Sequence, residues 1–307
     1  MGTEMMSRAA LLATGVTPAG IAAGVRDGSI RRLAHGVYEV GPRGDVYSEY
    51  RRRVIAAGLL CQSATVSHQS AAALHGIPAH DADLGLVHMT INHRHGGGIR
   101  RGRHIHPRPL GAGDTVWLEG VSATSRARTA IDVATSGDLE RAVCAIDAVR
   151  VVPRYPDPDI PPPVPPEELA ETTDRLGIRP GVRIARQALT LSVEHSESPG
   201  ESRSRLMMHL WKLPPPRLQE YYHLSGSDYW ADFAWDGIIG EFDGYGKYDD
   251  RERIKREKQR DSDFRAAGIA VVRWTWNDLA DRRRFHALIT HALRSAGVLH
   301  RVPPFLG

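Results

Sequence analysis

The sequence predicts an α/β protein, α+β overall, with a winged helix-turn-helix, a mixed α/β middle region and a C-terminal mixed sheet flanked by helices. Three observations carry this. First, Asp236-Gly237 lies between two short apolar runs in YWADFAWDGIIGEFDGYGK, Tyr229 to Lys247, and that pairing is the strongest local signal for a two-residue hairpin. Second, a charged helical stretch from Asp249 to Ala267 precedes Ile269 to Trp276, whose nearly unbroken apolar run suits a buried parallel strand. A helix joining two strands of one sheet implies a right-handed crossover. Third, two short helices near the N-terminus run directly into two short strands.

The elements follow in order. Arg8 to Thr14 reads as a short helix ended by Gly15. Thr17-Pro18 starts a second helix, an N-cap residue followed by proline at the first helical position, and Gly28 stops it. Arg31 to Leu33 and Gly36 to Val40 are strands around Ala34-His35. Arg26, Arg31 and Arg32 cluster at the helix end and wing, where phosphate contacts are made; a structural winged helix that binds another protein is the other reading. These elements set a first domain at 1–45.

A middle region, 46–150, holds helices at Tyr47 to Gly58, Ser67 to His75, Thr124 to Ala134 and Leu139 to Val149. Its strands are Leu86 to Asn92, Arg103 to His106 and Val116 to Val121. Between the first two strands, His93 to Pro107 carries four arginines, four histidines and four glycines. Arg100, Arg101 and Arg103 there suit a phosphate contact on a basic hairpin, and a merely solvated hairpin is the alternative. His93 and His95, or His104 and His106, share a strand face, but no nearby carboxylate or cysteine completes a metal set.

Val152 to Pro166 holds eight of the chain's twenty prolines and favours extended polyproline II, so a linker is expected at 151–166. The last domain, 167–307, opens with helices at Glu167 to Leu176 and Gly181 to Leu191. Ser198-Pro199 then starts a helix at Glu201 to Trp211. A strand at Arg217 to Leu224, the hairpin, the charged helix, the buried strand and a helix from Asn277 to Ala296 complete it.

The composition bounds the function class. Charged residues make up 25% and hydrophobic residues 41% of 307 residues, as in ordinary globular proteins. Net charge is +4 with a pI near 9.2, which permits nucleic-acid binding without requiring it. Two distant cysteines, Cys61 and Cys144, exclude a disulfide framework or zinc finger and point to a reducing cytoplasm. The first residues lack a secretory pattern, and no run approaches the roughly 18 apolar residues of a membrane span. A cytoplasmic protein without membrane contact is expected.

The hairpin register carries the chemistry. A turn at Asp236-Gly237 sets Trp235 opposite Ile238, Ala234 opposite Ile239, Phe233 opposite Gly240 and Asp232 opposite Glu241. Like charges directly opposite destabilise a sheet unless a positive group lies between them. Oxygen-rich carboxylate pairs suit Mg2+ or Mn2+. A slip of one residue would instead send the acids to opposite faces. Lys247, beyond two glycines, is within reach of the same site. Paired acids, a metal and a lysine form a unit for phosphodiester hydrolysis.

This C-terminal arrangement resembles the PD-(D/E)XK nuclease superfamily, restriction-endonuclease-like in fold, and more closely its domains similar to the very-short-patch repair endonuclease. The likeness is carried by Glu197-Ser198 with Glu201-Ser202, Asp232 in ADFAW, EFDGYGKY from Glu241, Glu257-Lys258 with Arg260-Asp261, and VVRWTW from Val271. It implies that Asp232 and Glu241 bind the metal and that Glu201 adds a further carboxylate. The signature places lysine two residues after the second acid. Asp243 stands there, so Lys247 supplies the lysine from another position, or Asp243 acts as a third metal ligand.

The N-terminal part resembles the winged-helix region of AbiEi-like type IV antitoxins. Gly28-Ser29-Ile30 with Leu33 and His35-Gly36-Val37-Tyr38 carry the likeness, with SHQSAAALHGIP from Ser67 and TSRARTAIDVA from Thr124 matching the middle region. Two functions are therefore expected. One is a Mg2+- or Mn2+-dependent DNA endonuclease, a hydrolase in repair or defence, with catalytic Asp232, Glu241, Lys247 and Glu201 and metal ligands Asp232, Glu241 and Asp243. Its DNA contacts come from Arg26, Arg31, Arg32, Arg100, Arg101, Arg103 and Lys258. The other is a non-enzymatic DNA-binding regulator or antitoxin with a degenerate nuclease fold and a toxin or other protein as partner.

Overall fold

The computed structural model describes residues 4–41, 44–78, 81–93, 95–155, 157–244, 251–300 and 305. They divide into two compact units, Met1–Ser136 with Glu167–Arg183, and Gly137–Pro166 with Ile184–Gly307. The protein is α/β.

The first unit opens with β1 (Glu4–Ser7), α1 (Arg8–Ala13), α2 (Pro18–Asp27), β2 (Ile30–Ala34) and β3 (Val37–Val40). Ser7 caps α1 and Thr17 caps α2, each side chain accepting from a backbone N–H three residues on. The strands form an antiparallel sheet in the order β1-β3-β2. β1 was not legible: four residues without alternation give no strand signal. Leu11, Ile21, Ile30 and Tyr38 make the small core.

There follow α3 (Val46–Leu60), β4 (Thr65–Val66), α4 (His68–His75), β5 (Val87–Ile91), β6 (Gly98–Arg100), β7 (Arg103–Pro107), β8 (Thr115–Leu118), β9 (Val121–Thr124) and α5 (Arg126–Ser136). The sheet order is β6-β7-β5-β4-β9-β8. The single strand expected at Val116 to Val121 is two, because Glu119 and Gly120 both take positive φ and reverse the chain. Tyr50, Val54, Val66, Met89 and Val121 fill the space between sheet and helices.

Past α5 the chain makes α6 (Leu139–Arg150), α7 (Pro166–Arg175) and α8 (Val182–Leu191). The expected boundary at 166 coincides with a cut between Pro166 and Glu167, while the one expected at 150 falls instead after Ser136, and a further cut follows Arg183. α6 and the proline-rich stretch belong to the second unit, and Glu167–Arg183 belongs to the first. Ion pairs within each unit, invisible to composition, accompany this division. Arg175 of α7 reaches Asp114 at 2.8 Å, while Glu140 and Asp147 of α6 bind Arg203 at 2.9 Å and Arg205 at 3.0 Å. Nor is the proline stretch a free spacer. Val164 is buried and its N–H donates to Val149 at 2.8 Å.

The second unit continues with α9 (Pro199–Leu210), β10 (Arg217–Leu224), β11 (Ser227–Trp235), β12 (Ile238–Asp243), α10 (Arg251–Ala266), β13 (Ala270–Thr275), α11 (Trp276–Ala280) and α12 (Arg282–Ser295). The sheet runs β10-β11-β12-β13, antiparallel except for the β12–β13 pair, which α10 connects. Helices cover both faces. Phe264 of α10 packs on Ala231, Ala234 and Ile239, while Met207 of α9 and Phe285 of α12 pack with Phe233 and Trp274. The expected last helix is two pieces, because Asp281 leaves helical geometry and accepts from the N–H groups of Arg283 and Arg284. Among the described residues no helix is long and apolar enough to cross a membrane.

Candidate functional site

The site of the second unit is built on a helix start and three strands. Ser198 caps α9, and Glu201 at the third helical position reaches back to the residues before the helix. The Glu201 N–H donates to Ser198 Oγ at 3.2 Å, the Ser198 hydroxyl donates to Glu201 Oε1 at 2.7 Å, and the Glu197 N–H donates to Oε2 at 2.8 Å. Gly200 lets this turn sit against β12: a Cβ there would lie 1.9 Å from the Phe242 ring. Only a residue without a side chain fits.

Asp232 follows from the hairpin. Phe233 pairs with Gly240, Ala234 with Ile239 and Trp235 with Ile238, as the turn at Asp236-Gly237 requires. That ladder ends before Asp232 and Glu241. Asp232 instead turns its Oδ2 to the Phe242 N–H at 2.9 Å. On its other side β10 sets Leu218 opposite Phe233 and Glu220 opposite Ala231, so Gln219 falls opposite Asp232. The Gln219 amide nitrogen donates to Asp232 Oδ1 at 3.4 Å and to Glu201 Oε2 at 3.1 Å. One amide thus binds a strand acid and a helix acid together.

Glu241 is only 8% exposed and holds Arg260 of α10, whose guanidinium donates to Oε1 at 2.5 Å and to the Trp230 carbonyl at 2.6 Å. Burial pushes Glu201 up to about 7, and the charge of Asp232 adds to the rise. Burial pushes Glu241 up to about 8; Asp232 adds to this and Arg260 opposes it. Asp232 is itself raised by burial, against its bond from the Phe242 N–H and the nearby Arg260 charge. Burial is the first cause for all three carboxylates.

The other expected residues are placed as follows. Asp243 shares a strand face with Glu241 and lies 3.4 Å from Arg273, which also holds Asp261 at 2.7 Å. Lys247 lies outside the described residues. Lys258 is exposed on α10. Beside the acids, Arg154 reaches Glu197 at 2.9 Å and the Gln219 amide oxygen at 2.7 Å, with its guanidinium over the Trp230 ring at 4.7 Å. Tyr155 meets that ring edge-on at 6.3 Å. The proline-rich stretch therefore walls one side of the site.

The residues fit a hard divalent cation. All donors are carboxylate oxygens, the class Mg2+ and Mn2+ prefer. Glu201 and Glu241 are buried and Asp232 is half-buried, and Glu201 and Asp232 already converge on one nitrogen.

No family model matches the chain. Two curated relatives, uncharacterized proteins MT2308 and Rv2248 of Mycobacterium tuberculosis strains CDC 1551 / Oshkosh and H37Rv, are each 30% identical over 158 residues. The match covers 50% of this chain and 55% of each relative, so the chain spans about half the length of the curated relatives it matches. Their names bring no activity to it.

In the first unit a cleft is lined by Arg32, His35, Arg53, Arg101 and Arg103, so three of the expected DNA-contact arginines meet there. Arg26 and Arg100 are exposed elsewhere on this unit. Arg31 is committed to the wing: its Nε and one terminal nitrogen bind buried Glu39 at 2.9 and 2.6 Å. Sequence reasoning gave no role to Gln219, Arg154 or Arg53, and named Arg260 only among the residues that carry the resemblance. Gln219 was findable, since a turn at Ser225-Gly226 fixes the β10 register and sets it against Asp232.

Proposed function

We propose that the second unit hydrolyses phosphodiester bonds in DNA as a Mg2+- or Mn2+-dependent endonuclease, and that the first unit binds the DNA. Convergence of Glu201 and Asp232 on one amide, with buried Glu241 of raised proton affinity beside them, carries this reading. Glu201, Asp232 and Glu241 would hold the ion, with Asp243 at the rim. When bound, the ion supplies Lewis-acid stabilisation of the phosphate and lowers the pKa of a water. Arg154, fixed by Glu197, Gln219 and Trp230, offers a cation to the substrate phosphate. Lys247 keeps its expected role of orienting the attacking water. Arg32, Arg101 and Arg103 hold the duplex through its phosphates.

The test is cleavage of supercoiled and mismatched DNA with Mg2+ or Mn2+, comparing the natural protein with Asp232→Ala. Metal-dependent cleavage that the variant lacks supports the reading. Cleavage by both proteins refutes the assignment of Asp232.

One observation favours a second reading, a DNA-binding regulator or antitoxin with a disarmed nuclease scaffold and a protein partner. Arg260 and Arg273 already provide ion pairs for Glu241 and Asp243. Salt-dependent binding without cleavage in either protein would favour it.

A further inference from the structure

Histidines of the first unit gather on one face of the six-stranded sheet. β5 and β7 run parallel with His88 opposite His104 and Thr90 opposite His106. Alternate residues share a face, so His88, His104 and His106 line the same side. His68, fully buried in the first turn of α4, closes over them, its ring stacked on His106 with centroids 3.8 Å apart. His88 Nδ1 lies 3.0 Å from His106 Nε2. One ring nitrogen from each of His68, His88 and His106 lies within 4.8 Å of the others. The expectation that no metal set forms around the hairpin histidines looked only within the hairpin; the further ligands come from β5 and α4.

A satisfied polar cluster would be the plain account, and two facts oppose it. The Nε2 of His68 is buried with no hydrogen-bond partner, which costs free energy unless something binds there. His68 also holds φ +53, a left-handed conformation that a residue with a side chain adopts at a cost.

The outer nitrogens of His68 and His88 have polar neighbours. His68 Nδ1 meets Ser67 Oγ at 2.9 Å, and that hydroxyl accepts from Thr90 at 2.8 Å. His88 Nε2 lies 2.6 Å from the Gln69 amide nitrogen, which also donates to the Asp83 carbonyl at 3.3 Å; a half-turn of the amide, which gives up that second bond, presents its oxygen to a ring N–H. Metal-binding imidazoles use this division, one nitrogen for the ion and the other fixed by a polar neighbour.

We propose that His68, His88 and His106 form a three-imidazole site for a first-row transition-metal ion of the zinc class, with a remaining position open to water. Nitrogen donors select Zn2+ or Co2+ over Mg2+, so this site is chemically distinct from the carboxylate site. Two tetrahedral donors at about 2.0–2.1 Å from zinc lie roughly 3.4 Å apart. Nitrogens that lie within 4.8 Å of one another therefore need draw together by no more than about 1.4 Å, through rotation of stacked rings. Two arginines lie near the cluster: Arg128 is matched by Asp114 at 2.8 Å and Asp132 at 3.0 Å, and Arg108 donates to the Thr135 hydroxyl at 3.3 Å.

The experiment uses the full chain after chelation, as the natural protein and as Asp232→Asn to remove carboxylate binding. Zn2+ is titrated by calorimetry and Co2+ by visible absorption. Asp232→Asn should take up one equivalent, the natural protein that equivalent and any held by the carboxylates, and in both Co2+ should give the intense bands of a tetrahedral nitrogen site. His106→Asn should abolish this uptake, and Gln69→Leu should weaken it by about 10- to 100-fold. The Co2+ spectrum of the natural protein decides the question even if a variant misfolds. No tetrahedral Co2+ bands, or unchanged Zn2+ uptake by folded His106→Asn, would overturn the site.

Discussion

Gln219 faces Asp232 across β10 and β11, and the same amide nitrogen that lies 3.4 Å from Asp232 lies 3.1 Å from Glu201. The amide stands where two partly buried acids need positive charge. Gln219→Leu removes the donor to Asp232 Oδ1 and leaves Glu201 Oε2 only the Glu197 N–H, so metal-free stability should fall by about 1–3 kcal/mol. Mg2+ should recover much of that loss. Thermal unfolding with and without Mg2+ measures both effects.

Gly200 brings the start of α9 against β12. Gly200→Ala sets a methyl group 1.9 Å from the Phe242 ring, so ring or helix must move. Overpacking of this kind costs about 1–3 kcal/mol, and displacement of Glu201 should lower metal affinity as well. Denaturant unfolding and metal titration of this variant check the pair of effects.

The pH dependence follows from the raised acids. Glu201 and Glu241 have folded values of about 7 and about 8 against an ordinary 4.5. In that window the folded protein binds more protons than the unfolded chain, so ∂ΔG/∂pH of unfolding is negative. Their contribution is fully present below about 4.5 and is lost as pH rises through 7 and 8. Without divalent cations, stability should therefore decline across this range, and Glu201→Gln should flatten the slope. Added Mg2+ should oppose the decline, because it binds the ionised forms. Melting temperatures at stepped pH give the result.

Arg32, Arg101 and Arg103 line one cleft of the first unit. Each phosphate contact removed should reduce the slope of log binding constant against log salt by about 0.9. Arg101→Ala should show this loss on duplex DNA of any sequence. Arg31→Ala should chiefly destabilise the wing, since Arg31 binds Glu39. DNA titrations over a salt series, with unfolding controls, separate the two.

Much of the second unit was legible. Asp236-Gly237 sets the hairpin, and three of its four expected pairs are present; the fourth lies past the ladder because Asp232 takes the Phe242 N–H instead. Ser198-Pro199 announced α9 and so placed Glu201. Arg260 was not legible as the partner of Glu241, because one charge among many on α10 gives no sign of which strand it meets. The histidine cluster was hidden for the same reason. Its members lie on α4, β5 and β7, and only sheet pairing brings them together.

Mn2+ binding tests the central claim, that Glu201, Asp232 and Glu241 form one divalent-cation site. Calorimetric titration of the full chain, in a His106→Asn background to remove histidine ligation, should show saturable binding. Glu201→Gln, Asp232→Asn and Glu241→Gln should each weaken it. Binding indifferent to all three substitutions, or no binding by the parent, would contradict the account.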